Sequence, residues 1–257
     1  MTNNAIFGKT DRIACIDISK GIAIYSIMVI HLFNACSNDY IQKVNYLIRI
    51  IAIAVFFVVA GMTPSKKTMF TKIESSAKKL LLPFAIYITL SIVFCWFYGD
   101  YVFTVEKVFY YDGLLYFNEP LWFLIVLFEV ELFEVIIKAT TKNIYVEFLI
   151  VFFIIMFGYF SYTYRWEYAK WLNHFGINRA IVCYALFLCG NLLFKAKTII
   201  KNSIFRNIIL FFSVSCWGII SIINENVSMY TFSLGRSYWL FLISGVFGSI
   251  ALLLLCT

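Results

Sequence analysis

The chain has 257 residues, of which 62% are hydrophobic, 20% aromatic and only 14% charged, and its mean hydropathy is +0.86. Soluble domains run at roughly 45–50% apolar and about 25% charged, so a soluble globular domain is excluded and a polytopic membrane protein is indicated. The formal charge of +7 does not signal a nucleic-acid partner, because the cations sit in short connections between apolar runs, where they set membrane topology.

The chain opens with Lys9 and Arg12 ahead of an apolar run. This could pass for a signal peptide, but Lys20 and His31 bracket the run and a second long apolar segment soon follows, so it reads as a retained first span. Ile16 to Phe33, IDISKGIAIYSIMVIHLF, is an apolar helix pattern interrupted by Asp17, Lys20 and His31. Asp17 and Lys20 are three apart and can pair on one helix face. Lys20 and His31 are eleven apart, about three turns, so they share nearly the same face, roughly 16 Å apart along the axis. Lys20 then lies near one membrane surface and His31 about half a bilayer deeper. Ionisable groups at such depth face a bundle interior or a wet cavity and mark a pathway or an active site.

Further apolar runs fall at about 44–62, 80–98, 120–137, 144–160, 180–194, 207–223 and 238–256, which with the first makes about eight spans in a single all-α membrane domain covering 1–257. Arg49 lies near one end of the second span, which finishes Phe56-Phe57-Val58-Val59-Ala60-Gly61, a small-residue ending suited to close helix packing. Ser65 to Lys79 is rich in lysine and leads into Leu80-Leu81-Leu82-Pro83; such a stretch enforces topology or binds anionic lipid. Residues 99–119 carry Asp100, Glu106 and Asp112 with many tyrosines, which read as interfacial belt anchors. Pro120-Leu121-Trp122-Phe123-Leu124 opens the fourth span, which also holds Glu129, Glu131 and Glu134. Glu134 reads as solvated near the helix end. Glu129, closer to mid-membrane, needs a partner or a proton, with Arg49, Lys20 or water as candidates. Residues 161–179 read as an external amphipathic stretch with His174 among aromatics.

The seven cysteines are scattered through apolar segments without a CxxC pair and read as small core hydrophobes. The two histidines, His31 and His174, lack ligand spacing, so no metal is expected. Lys and Arg concentrate in alternate connections, at Lys9 and Arg12, Lys66 to Lys79, Lys138 and Lys142, and Lys195 to Arg206. That bias places the N-terminus in the cytoplasm, and the basic stretch 161–179 runs against it.

Taken in order, Asp17-Ile18-Ser19-Lys20-Gly21-Ile22 with ten residues between Lys20 and His31, then Phe56-Phe57 with Gly61, then Lys79 to Pro83, then Leu121-Trp122-Phe123-Leu124 resemble the membrane-bound acyltransferase family 3, which includes sugar O-acetyltransferases. Most members carry Arg where Lys20 stands, many have Ser where Ala60 stands, and several have His where Pro120 stands. Members usually run to about ten spans, so the chain is expected to be C-terminally incomplete. The resemblance implies acetyl-CoA as acyl donor, no permanently bound cofactor, a glycan or lipid-linked sugar as acceptor, and a multi-pass location in a bacterial cytoplasmic membrane. Acyl transfer to a hydroxyl calls for a general base, commonly His. His31 is the expected catalytic residue, taking the acceptor's proton or helping to polarise the thioester. Lys20 would hold a phosphate or the thioester end of the donor, with Asp17 orienting it, and Lys78 and Lys79 would meet the phosphates of coenzyme A. No Ser–His–Asp set is evident, so direct transfer is simpler than a covalent intermediate. The rival class is a transporter, flippase or glycan-assembly subunit; a transporter favours internal repeats and broken helices, and neither is visible.

Overall fold

The computed structural model describes residues 14–34, 36, 38–63, 68–98, 119–141, 143–164, 176–196 and 203–256. In chain order these form α1 (Ala14–Asn34), α2 (Asp39–Gly61), α3 (Met69–Ser76), a π-helical turn (Ala77–Leu81), α4 (Leu82–Tyr98), a 3₁₀ turn (Glu119–Leu121), α5 (Trp122–Thr140), α6 (Ile144–Tyr164), α7 (Ile177–Ala196), α8 (Ser203–Asn224) and α9 (Tyr238–Leu255). There is no β-strand among the described residues; a lone bridge, Ser228 to Ser233, closes the connection between α8 and α9. The all-α polytopic architecture read from the sequence is therefore present. Seven helices among the described residues are long and apolar enough to cross a membrane. α5 is as long as a span but is set apart by Glu129, Glu131, Glu134 and Lys138.

Two differences from the sequence reading are informative. The third span begins at Met69, so most of the lysine-rich stretch read as a connection is helical, and the π turn at Ala77–Leu81 absorbs an extra residue just before Pro83. Pro83, the second residue of α4 and continuous with the π turn before it, lacks the N–H an interior helix position donates, and a locally widened turn relieves that mismatch. The stretch around His174 lies outside the described residues, but its end does not: Asn178 and Arg179 open α7 and are buried, each 3% exposed.

The chain divides into two compact units, one formed by Met1–Pro64 with Leu186–Thr257 and the other by Ser65–Ala185. In the first, α2 packs against α1, α8 and α9, and α8 packs along α9. Small residues permit this. A Cβ on Gly61 would fall on the Phe187 carbonyl oxygen, and one on Gly190 on the Val58 carbonyl oxygen, so α2 and the second half of α7 touch backbone to backbone, as small-residue helix pairs in membranes do. This is the physical content of the Phe-Phe-x-x-x-Gly ending of the second span. Polar side chains add cross-links: Trp217 Nε1 donates to the Leu47 carbonyl at 3.2 Å, and the buried hydroxyls of Ser221 and Ser244 bond at 2.6 Å. In the second unit α5 packs on α3 and the π turn, while α4 and α6 display apolar side chains outward, including Trp96, Phe97, Phe148 and Phe153, a surface suited to lipid.

Candidate functional site

In α1 the buried stripe is Cys15, Ile16, Ser19, Ala23 and Ile30. α1 packs mainly against α2, and this stripe is the side it buries. Ser19 keeps its hydroxyl satisfied by donating to the Cys15 carbonyl at 2.7 Å, so it adds no polar cost to that face. At about 100° per residue, Lys20 and His31 fall within about 20° of one another and about 60–80° around from Ala23. Both therefore lie on one flank of α1. Asp17 and Lys20 are half-buried there, and His31 is exposed. The sequence allows either a bundle interior or a wet cavity around His31; in the fold the side chain lies outside the buried stripe of α1 and is exposed.

One turn beyond His31, the end of α1 enters a polar cluster that the sequence hinted at only through Arg49. The Asn34 side-chain oxygen accepts from Asn45 Nδ2 at 2.9 Å and also from Arg49 Nη2. Arg49 Nη1 donates to Asn226 Oδ1 at 2.7 Å and to the Val227 carbonyl at 3.1 Å, and Nε lies 3.4 Å from Asn45 Oδ1. The loop supplying Asn226 and Val227 is itself tied down by Asn224. Its Nδ2 donates to the Leu234 carbonyl at 2.7 Å, and its Oδ1 accepts the Ser237 N–H at 3.0 Å. Glu225 and Arg236 pair with each other across the loop.

The first unit also holds an apolar cavity of about 200 Å³ lined by Ile22, Ala23, Ser26, Ile51, Trp217 and Leu252 among others. Neither Lys20 nor His31 lines it.

The second unit carries the remaining expected residues. Lys78 and Lys79 are both exposed, in the π turn; Lys78 pairs with Glu74 at 2.6 Å. Behind them stands a polar network. Glu134, expected to be solvated, is 1% exposed. It accepts from Tyr184 Oη at 2.8 Å and pairs with Lys138 one turn on. Glu131 accepts from Ser76 Oγ. Glu129, for which Arg49, Lys20 or water were candidate partners, has Arg179 as the charged group acting on it, and its Oε2 is buried without a hydrogen-bond partner. Hydropathy marks such charges as costs to be placed at a surface; only the fold shows which of them have a buried partner.

An all-helical chain with this many long apolar helices, carrying ionisable side chains on and between them, is a multi-pass membrane protein. A family model described as an acyltransferase domain matches residues 13–257, and the chain belongs to acyltransferase family 3. It is accordingly a membrane O-acyltransferase. No curated protein and no solved structure matches it.

Proposed function

We propose that this acyltransferase moves an acetyl group from acetyl-CoA to a hydroxyl of a cell-surface or lipid-linked glycan, in a bacterial cytoplasmic membrane with its N-terminus in the cytoplasm. The observation that carries the reading is the placing of Lys20 and His31 on one flank of α1, with His31 exposed and the pair roughly 16 Å apart along the axis. A cation toward one end and a base toward the other suit a donor and an acceptor that arrive from opposite sides.

In this reading the acceptor oxygen attacks the thioester carbonyl carbon, the carbon–sulfur bond breaks, and an ester forms. His31 accepts the hydroxyl proton as the attack proceeds and returns it to the departing thiolate, so the imidazole ends as it began. Lys20 supports the donor, with Asp17 three residues before it on the same helix. Lys78 and Lys79, exposed on the second unit, supply further positive charge for the coenzyme A phosphates. The test is His31→Ala in purified protein given acetyl-CoA and candidate glycans. Loss of a positioned general base removes about a hundredfold or more in rate, and membrane insertion is expected to be unchanged. Glycan acetylation at the wild-type level, at matched protein amount, overturns the reading.

A further inference from the structure

We propose that Arg49 is an anion-binding residue for the acyl acceptor, taking a carboxylate or phosphate group at the His31 end of α1. The inference rests on the acetyl-transfer reading above for the identity of the ligand, and on the surroundings of Arg49 for the site.

A guanidinium is always charged and has five N–H donors in a planar fork. Every hydrogen-bond acceptor that Arg49 meets is neutral: Asn34, Asn45 and Asn226 side-chain oxygens and the Val227 carbonyl. No carboxylate among the described residues forms an ion pair with it. Glu225, the acid nearest in the same loop, is taken up by Arg236. Among the described residues, four acceptors leave one Nη2 N–H unused and the positive charge without a counter-charge. Arginines held at helix interfaces for structure alone are usually matched by an acid.

The cluster is also open on one side. Asn34 and Asn226 are exposed while Asn45 is fully buried, so the guanidinium is anchored from within by Asn45 and covered from without by side chains that can yield. Asn226 sits on a loop and accepts from Nη1 through a single amide oxygen. An incoming carboxylate or phosphate oxygen replaces a neutral acceptor with a charged one and uses the free Nη2 N–H as well, giving the forked, charge-assisted geometry that is the stronger arrangement. The position selects the acceptor over the donor. Asn34 is one turn from His31, and fourteen residues, roughly 21 Å, from Lys20, which the donor occupies.

The experiment uses the full chain in detergent and reads equilibrium binding of glucuronic acid, glucose 1-phosphate, glucose and coenzyme A to the wild type, Arg49→Gln and Asn226→Ala. A charge-assisted hydrogen bond lost on an exposed flank corresponds to about tenfold in affinity. Arg49→Gln is therefore expected to weaken glucuronic acid and glucose 1-phosphate about tenfold and to leave glucose and coenzyme A unchanged. Asn226→Ala removes the neutral competitor and is expected to strengthen both anionic sugars, which keeps the test alive should Arg49→Gln fail to fold. Equal losses for charged and neutral sugars, loss of coenzyme A binding alone, no strengthening in Asn226→Ala, or a wild type that binds neither anionic sugar each overturn the proposal. Arg49-dependent binding of glucuronic acid in a protein that transfers no acetyl group to any sugar would uphold the anion site and sink the acetyl-transfer reading separately.

Discussion

Two charges, Glu134 in the second unit and Arg49 in the first, are held in opposite ways. In the second, Glu134 is buried and surrounded by partners that answer it: Tyr184 donates a hydrogen bond and Lys138 supplies the opposite charge. Arg49 is half-buried, and among the described residues it meets only amide and carbonyl oxygens. A charge whose partner is built in is part of the scaffold, since removing either member strands the other. A charge that the fold positions but does not neutralise is available to something that arrives later. The same distinction applies within α1, where Ser19 is satisfied internally and His31 stands on an open flank.

The comparison is broken or upheld first by stability. Glu134→Ala removes the carboxylate that accepts from the buried Tyr184 hydroxyl, and losing a hydrogen bond to a charged group costs about 1.5–3 kcal/mol. The thermal midpoint in detergent should fall clearly. Arg49→Gln should fall less, because Asn34 and Asn226 are exposed and regain solvent when the guanidinium leaves. If Arg49→Gln lost as much stability as Glu134→Ala, Arg49 would be a latch like Glu134, and the contrast between the two residues would disappear.

A smaller effect sharpens the same point from the other partner. Tyr184→Phe removes a hydroxyl but keeps the ring that meets Phe133 edge-on. Glu134 retains Lys138, so the expected loss is about 1 kcal/mol. In a double-mutant cycle with Glu134→Ala the two losses should fall short of additive, because they report one hydrogen bond. Strict additivity in chemical or thermal unfolding would mean that the 2.8 Å contact contributes nothing of its own.

What the sequence disclosed follows from what is local. Long apolar runs gave about eight spans, all present as helices, and the spacing of Lys20 and His31 put them on one flank whatever the packing. The direction of that flank was not local. It depends on which side of α1 the neighbouring helices bury, and that side carries Ser19 and Ala23. Arg49 could be seen near a helix end, but its acceptors come from α1, from α2 and from a loop 177 residues further on, a pairing no periodicity encodes. Hydropathy puts Glu134 in water because it scores a charge without knowing its partner. The lysines of the Ser65–Lys79 stretch hid a helix whose Phe70, Ile73 and Ala77 already repeat at three- and four-residue spacing.

The smallest expected effect concerns a third kind of charge, neither buried and paired nor buried and open. Lys78 and its partner Glu74 are one turn apart, with 71% and 63% of their side chains exposed, and Lys79 beside it is exposed as well. Exposed pairs of this spacing contribute about 0.3–0.5 kcal/mol, so Lys78→Ala with Lys79→Ala should leave the thermal midpoint almost where it was. Because the scaffold is indifferent to the change, any functional loss reads charge alone. If the two lysines meet the phosphates of coenzyme A, the double variant needs more acetyl-CoA to reach half its maximal rate, and the deficit grows smaller as salt is raised and screens the wild-type attraction. Lys20→Ala should show the same donor dependence, with Lys20→Arg recovering much of it because the cation is kept. A Lys78/Lys79 variant with an unaltered acetyl-CoA dependence at low salt would assign these lysines to the membrane surface, where a cationic helix end meets anionic lipid.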